Sequence, residues 1–551
     1  IDHVLANLLI QRNIKSYEQA REFFRPDLAR LHDPFLMTDM DKAVRRLDQA
    51  IKDQESILIY GDYDVDGTTA VALMYTFLKR FNPNIEYYIP DRYDEGYGVS
   101  YKGIDNAVEN KYTLIISLDC GIKAVEKVKY ASEKGVDFII CDHHLPDEVL
   151  PPAVAVLDPK REDCSYPFDD LSGCGVGFKL VQGYAQYKSI PFEDIIPLLD
   201  LVAVSIAADL VSVTGENRIL AHYGLQRLNE NPCKGLQSVI KLSGLENHKI
   251  TIDDVVFKIG PRINAAGRME SGRTAVDLLI CRNDEQAKHI GAAINDHNNE
   301  RKSIDREITF EAINMVKNSP GFANKKSTIV YNPQWHKGVV GIVASRLVEA
   351  FYRPTIVLTQ SNGFITGSAR SITGFDLYAA IEHCSEYLEN FGGHMYAAGL
   401  TMKEENLEAF CTKFEDYVVS KITDELLVPL VNIDSYLDFK QITPKFFRLL
   451  KQFQPFGPGN QSPVFITENV YDNGNGRKVG SDNGHMKLEL IQEDEPYRYI
   501  SAIAFNRSEH FEHLHVGNPV DVCYSIAENY YRGIANIQLR VKDIKIREDL
   551  F

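Results

Sequence analysis

The sequence holds no apolar run near the roughly 20 residues that a membrane-spanning helix needs, so no membrane partner is expected. Its first residues, "IDHVLANLLIQRNIKSYEQAREFF", interrupt apolar positions with acidic and polar ones. A secretory leader would open with a basic stretch and an unbroken apolar block. Cysteine is sparse: nine residues, an odd count, with no C-x-x-C pair. That excludes a disulfide framework and fits a reducing, cytoplasmic compartment. Cys120 and Cys141 end apolar runs and read as small core residues. Positive charge is also short. Lysine and arginine number 60 against 77 acidic residues, a formal net charge of −17. This argues against coating nucleic acid through bulk charge and leaves room for a local basic groove. There is no internal repeat and no low-complexity tract. What is there is an ordinary globular balance, 551 residues with 44% hydrophobic and 25% charged. That is enough for roughly three or four domains.

The first half alternates short apolar runs with helix-like segments. The runs are "SILIY", "IEYYIP", "TLIISLD", "VDFIICD" and "AVAVLDP". They lack polar alternation, so they read as strands covered on both faces. Segments such as "TAVALMYTFLKRF" and "KAVEKVKYASEKG" separate them. This is the pattern of an α/β domain on a mostly parallel sheet, expected over 46–284 after an N-terminal helical region, 1–45. Residues 285–320 are polar and helix-periodic and read as a long connecting helix. A second, smaller α/β unit is expected over 321–427, with "KSTIVYN", "GVVGIVASRLVEAF", "RPTIVLTQ" and two glycine-containing loops, "GSARS" and "FGGHMYAAG". Over 428–551 the runs alternate at period two with Gly, Asn and Pro between them. That marks an antiparallel β-barrel or sandwich of about five to six strands, the size of an OB-fold.

The stretch "LIYGDYDVDGTTA", Leu58 to Ala70, begins like a calcium loop. A calcium loop needs a closing Glu at its twelfth position, and counting from Asp62 that position is Leu73. A helix cap by Asp66 or Thr68 accounts for one acidic residue and not for three. In extended backbone, alternate residues share a face. Asp62, Asp64 and Asp66 can then present carboxylates toward one point, with Gly67 allowing a tight turn into the next helix. "SLDCG" adds Asp119, and "CDHHLP" adds Asp142, His143 and His144, each after a buried run. "AVSIAADLV" places Asp209 in an apolar stretch, where an unpaired carboxylate is costly; a metal or a buried ion pair would relieve it. C-terminal strand ends of open parallel sheets converge on one crevice, so a single site is expected. Carboxylates with imidazole and no thiolate suit Mn²⁺ or Mg²⁺. This many anionic groups suit two ions about 3.5–4 Å apart, which activate water and stabilise displacement at phosphorus.

In that order, "DYDVDG", "SLDCG", "DHH" and a later Asp resemble the DHH phosphoesterase superfamily. "GGHMYAAG" resembles the signature of its associated substrate-binding domain. "GPRINAAGRM", "WHKGVVGIVASRL", "GSAR" and "QPFGPGNQSPVF" narrow the likeness to the RecJ family, along the whole chain. The resemblance implies a DHH domain, a connecting helix, a DHH-associated domain and an OB-like nucleic-acid-binding domain. It implies a metal-dependent 5′→3′ exonuclease that hydrolyses single-stranded DNA to mononucleotides in DNA repair and recombination. By motif it makes Asp64, Asp66, Asp119, His143 and Asp209 metal ligands, with Asp119 the bridge and Asp62 a ligand or the neighbour of one. His144 would face the scissile phosphate, and Asp142 would orient the histidines. Arg262 and Asn264 would touch substrate phosphate, Arg92, Ser368 and Arg370 would hold a 5′-phosphate, and His394 would add a further phosphate contact. Arginine forks match phosphate oxygens. Trp335, Tyr63 and Tyr97 are candidates to stack on bases, with packing the plainer reading. Single-stranded DNA is the implied partner of an expected monomer. Some members add a C-terminal domain that engages a single-strand-binding protein and a helicase. This sequence stops at Phe551, just after the β-rich region, so the expectation extends to those two only weakly.

Two other functions fit parts of the pattern. A phosphatase or pyrophosphatase for small nucleotides would use the same motifs but needs no strand-binding platform. A catalytically dead scaffold on the same fold should have lost acidic ligands, and no motif position is substituted.

Overall fold

The computed structural model describes residues 2–531 and 534–546. The five apolar runs of the first half become β1 (Ile57–Gly61), β2 (Ile85–Tyr88), β3 (Leu114–Leu118), β4 (Asp137–Cys141) and β5 (Ala155–Leu157). They pair in parallel in the order β2-β1-β3-β4-β5. The chain therefore reverses its direction of travel across the sheet between β1 and β3, and the carboxyl ends there open a crevice. All five residues of β1 and of β3 are buried. Ile57 and Ile59 face the helices Val65–Leu78 and Gly173–Tyr187. Leu58 and Tyr60 face the other layer, with Ile104 and Val128 of helices Tyr101–Glu109 and Val125–Glu133.

The helix Asp284–Asn318 runs for 35 residues into the second unit. There β6 (Thr328–Tyr331), β7 (Thr355–Ser361), β8 (Phe364–Arg370), β9 (Leu388–His394) and β10 (Ala397–Met402) pair in the order β6-β7-β8-β10-β9. Strands β6 and β7 are parallel and the other neighbours antiparallel. The two glycine runs expected as loops are strand ends here: "GSAR" closes β8 and "FGGH" closes β9. Composition favours a turn, but close pairing needs the glycine. A Cβ on Gly367 would stand 2.6 Å from the Val357 carbonyl on β7.

Among the described residues the C-terminal unit has seven strands: β11 (Ser435–Tyr436), β12 (Phe465–Asp472), β13 (Arg477–Val479), β14 (His485–Gln492), β15 (Ile500–Ala504), β16 (Val520–Tyr531) and β17 (Ile534–Ile546). Five of them, β12, β16, β17, β15 and β14, make the barrel of the expected size, and the short β11 and β13 pair onto it. A β12–β14 pairing closes the sheet into a barrel. The barrel core contains Phe465, Leu488, Val522, Tyr524 and Leu539. It also contains Val4, Leu5, Leu8 and Leu9 of the helix His3–Gln11, so the start of the chain completes the core of its end. Arg218 fastens this junction. From the helix Gly215–Glu230 its guanidinium donates to the carbonyls of Phe23, Gln452, Phe453, Gln454 and Pro455. All nine cysteines are unpaired, and Cys120 and Cys141 are buried. No described helix is long and apolar enough to cross a membrane.

Candidate metal and phosphate site

The acidic stretch after β1 is not extended, as the alternation argument expected. The helix starts at Val65, with Asp64 as its N-cap and Asp66 in its first turn. Asp64 accepts from the Gly67 N–H at 3.0 Å, because a free carboxylate satisfies an orphan helix donor. Gly67 is needed for close approach: a Cβ there would meet the Asp62 O, N and C at 2.5, 2.6 and 2.8 Å. Asp66 accepts from the Gly173 and Cys174 N–H groups at 2.7 and 2.8 Å and from Ser205 Oγ at 2.7 Å. Asp119 ends β3 in a left-handed conformation, φ 60°. Strand β4 delivers Asp142, His143 and His144, and Asp209 closes the helix Leu199–Ala208.

These elements converge on one atom. His143 Nε2 lies 3.2 Å from Asp119 Oδ1, 3.6 Å from Asp209 Oδ2 and 3.8 Å from Asp66 Oδ2. His143 is buried, yet neither ring nitrogen has a hydrogen-bond partner. Burial, then repulsion from Asp66, Asp64, Asp209 and Asp142, pushes the Asp119 carboxyl well up. Burial first, then Asp64, does the same to Asp62, and burial, then Asp66, raises Asp64. Asp209 is pushed up to about 8 by burial and then by Asp66 and Asp64. Buried like charges beside an orphaned imidazole fit a divalent cation, which would remove the repulsion. Oxygen and imidazole donors without thiolate fit Mn²⁺ or Mg²⁺.

Asp142 sits behind this cluster. It accepts from the N–H groups of Ile122 at 2.9 Å and His143 at 2.8 Å, and pairs with His144 Nδ1 at 2.7 Å. Burial works to raise Asp142, but the His144 hydrogen bond and charge hold it down at about 2. Burial opposes the His144 imidazolium, and the Asp142 bond outweighs it and raises His144. The outer His144 nitrogen lies 3.3 Å from the Tyr97 hydroxyl, which donates to the Asp119 carbonyl at 2.9 Å.

A second charge environment of opposite sign adjoins the first. Arg92 lies over the Tyr63 ring, 4.8 Å from its centroid. On β8, Arg370 Nη1 donates to Ser368 Oγ at 2.8 Å. A Cβ on Gly341 would come within 3.0 Å of both Arg370 Nη2 and Ser368 Oγ. The bare glycine at the start of the helix Val340–Phe351 thus leaves a cradle of the kind that anions fill. Arg268, absent from the expected set although it lies in "GPRINAAGRM", joins them. Its Nη1 donates to the Gly338 carbonyl at 2.8 Å, and burial, then Arg92, Arg301 and Arg370, pushes its guanidinium down to about 9. Among the described residues none of Arg92, Arg268 and Arg370 has a carboxylate within 4.0 Å. His394 lies between the two environments: burial, then Arg370 and His144, lowers its pKa.

Other expected contacts sit differently. Arg262 turns its donors to Asn295, Lys258 and Leu242 at 3.1, 2.7 and 3.3 Å, and Asn264 is part-buried on the same helix. Trp335 is buried and donates to Glu311 at 2.8 Å, so it packs rather than stacks on a base. Tyr63 lies half-buried under Arg92, and Tyr97 is 48% exposed at the mouth of the site.

Comparison with known proteins finds three domain families along the chain. Residues 56–206 match the DHH family, N-terminal domain, residues 324–420 the DHHA1 domain, and residues 433–543 the RecJ OB domain. The single-stranded-DNA-specific exonuclease RecJ of Bacillus subtilis (strain 168) is 37% identical over 550 residues, covering 100% of this chain and 68% of the relative. Its namesake from Haemophilus influenzae is 32% identical, covering 93% of this chain and 92% of the relative. Among solved structures, RecJ in complex with Mn²⁺ from Thermus thermophilus has a TM-score of 0.84 at 25% identity, over 99% of this chain and 76% of that one. An exonuclease RecJ bound to manganese has a TM-score of 0.62 at 28% identity, over 72% of this chain and 97% of that one. With three domain matches in sequence and relatives of this identity along its whole length, the chain belongs to the RecJ family.

Proposed function

We propose that this chain hydrolyses single-stranded DNA from the 5′ end, one nucleotide at a time, with Mn²⁺ or Mg²⁺ as cofactor. The observation that carries this reading is the contact between two opposite environments, carboxylates gathered at His143 Nε2 and arginines without counter-ions beside them. Asp66, Asp119, Asp209 and His143 would hold the cations, with Asp64 and Asp62 adding negative charge. When bound, such ions neutralise the carboxylates, acidify water and stabilise charge on phosphoryl oxygens. The chain's own groups do the rest. Arg92, Arg268, Arg370, Ser368 and the open face at Gly341 would take the terminal phosphate, fixing which linkage reaches the acidic cluster. His144, whose imidazolium form the ionised Asp142 favours, would donate to a non-bridging oxygen of that linkage. His394, between the two environments, would add a further phosphate contact. The barrel would carry the strand beyond the first nucleotides. Nine unpaired cysteines fit a reducing cytoplasm.

The test is a single strand labelled at either end, incubated with Mn²⁺. Mononucleotides should appear from the 5′ end while a blunt duplex stays nearly intact. Asp119→Ala should remain folded, stop that release and lose the rise in Tm that Mn²⁺ gives the wild type. Far better cleavage of dinucleotides or pyrophosphate than of long strands would replace this reading with a small-nucleotide phosphoesterase.

A further inference from the structure

Behind the arginine pocket lies a fourth cation that no motif pointed to. Arg301, on the helix Asp284–Asn318, is 9% exposed. Its Nη2 donates to Asn298 Oδ1 at 3.0 Å, while its Nε and the Asn298 Nδ2 have no partner. Asn298 is fully buried. Among the described residues Arg301 has no carboxylate within 4.0 Å. The residue placed to neutralise it is Asp305, one helical turn on. Both oxygens of Asp305 are taken instead by Arg346 of the helix Val340–Phe351, with Nε at 3.0 Å from Oδ1 and Nη2 at 2.8 Å from Oδ2. Arg346 is 49% exposed. A half-exposed arginine therefore holds the buried carboxylate directly, while the buried arginine feels Asp305 only through space, and burial still lowers its pKa. Leaving a buried cation uncompensated is destabilising, so the arrangement calls for a use. The helix Gly260–Met269, which carries Arg262 and Arg268, packs on Arg301's own helix, with Arg262 Nε 3.1 Å from Asn295 Oδ1, so the Arg301 charge lies close enough to help lower the pKa of both Arg268 and Arg262.

We propose that Arg301 is a positioning residue for the strand end. The Asp305–Arg346 pair keeps it out of a direct ion pair, and its charge beside the helix of Arg268 gives the pocket its preference for a dianionic 5′-phosphate over a 5′-hydroxyl. This rests on the reading that the pocket receives the 5′ end. Asn298 holds the guanidinium in place, and the pair ties the long helix Asp284–Asn318 to the helix Val340–Phe351 of the second unit.

The experiment measures kcat and KM with Mn²⁺ on two strands of one sequence, one 5′-phosphorylated and one with a 5′-hydroxyl. A wild type without preference for the phosphate sinks the reading of the pocket itself, before Arg301 is in question. Given that preference, Arg301→Gln should reduce the ratio of kcat/KM values about tenfold, through KM on the phosphorylated strand. Equal losses on both strands, carried by kcat, would mark a merely structural residue and overturn the proposal. A second pair of variants decides the matter even if Arg301→Gln does not fold. Arg346→Met leaves Arg301 in place and frees Asp305 to bond it, so the ratio should fall in the same direction. Adding Asp305→Asn removes the freed carboxylate and should restore the ratio. If Arg346→Met leaves the ratio unchanged, or the double variant is as poor as the single one, the pair is a strut between two helices and the proposal fails.

Discussion

Gly173 shows how little slack the acidic cluster has. A Cβ there would stand 2.5 Å from Asp119 Cβ and 2.6 Å from its Oδ1, while its own N–H holds Asp66. Gly173→Ala should therefore displace Asp119, lower stability by ~1–3 kcal/mol and depress Mn²⁺-dependent release more than that loss of fold explains. Thermal melts with and without Mn²⁺ separate the two effects. At this scale the acidic residues were legible because each ends a buried run, where a bare carboxylate has no packing reason to be. What could not be read is how neighbours divide the work. Alternation put Asp62, Asp64 and Asp66 on one face, but capping took Asp64 for a backbone N–H. Arg262 and Arg268 look equivalent in "GPRINAAGRM". Tertiary packing then turned Arg262 toward Asn295, Lys258 and Leu242 and left Arg268 to face the other arginines.

The helix that carries Arg268 is reached through a built entrance. Thr251 and Asp254 form a capping box, a π-helical turn spans Val255–Ile259, and the helix Gly260–Met269 follows. Burial works to raise Asp254, but hydrogen bonds from Lys258 and Thr251 hold its carboxyl below the usual value. A folded pKa below the unfolded one gives stabilisation that is present above about pH 4 and is lost as pH falls through the folded value. Asp254→Asn should lower the Tm near neutral pH, and its gap to the wild type should narrow as pH falls below about 4 and through the folded value. A gap of constant size across that range would show that shape, not charge, holds the entrance. Strands of continuous apolar residues and the long polar helix could be read at this scale, because burial on two faces and helical periodicity each leave a clear pattern. The glycine-rich ends of β8 and β9 could not, since the reason for Gly367 is a carbonyl on a neighbouring strand.

Across the whole molecule the chain closes on itself, and this changes how the barrel can be tested. Leu5, Leu8 and Leu9 belong to the barrel core, although they lie at the opposite end of the sequence. Arg218 takes its carbonyls from Phe23 and from residues 452–455. A pattern of apolar residues shows that a face will be buried, not which distant segment covers it. Removing 428–551 alone would bare the first helix and strip Arg218 of most of its acceptors, so that fragment should aggregate and bind an apolar dye. Removing 1–25 as well takes away the exposed face. The doubly shortened chain should stay soluble, cleave very short 5′-phosphorylated oligomers, and lose affinity chiefly for long strands. Within the full chain, Leu8→Ala should lower barrel stability by ~2–5 kcal/mol and weaken long-strand binding before it affects short oligomers. Equal loss on short and long substrates in both experiments would mean that the barrel supports the catalytic fold instead of carrying the strand.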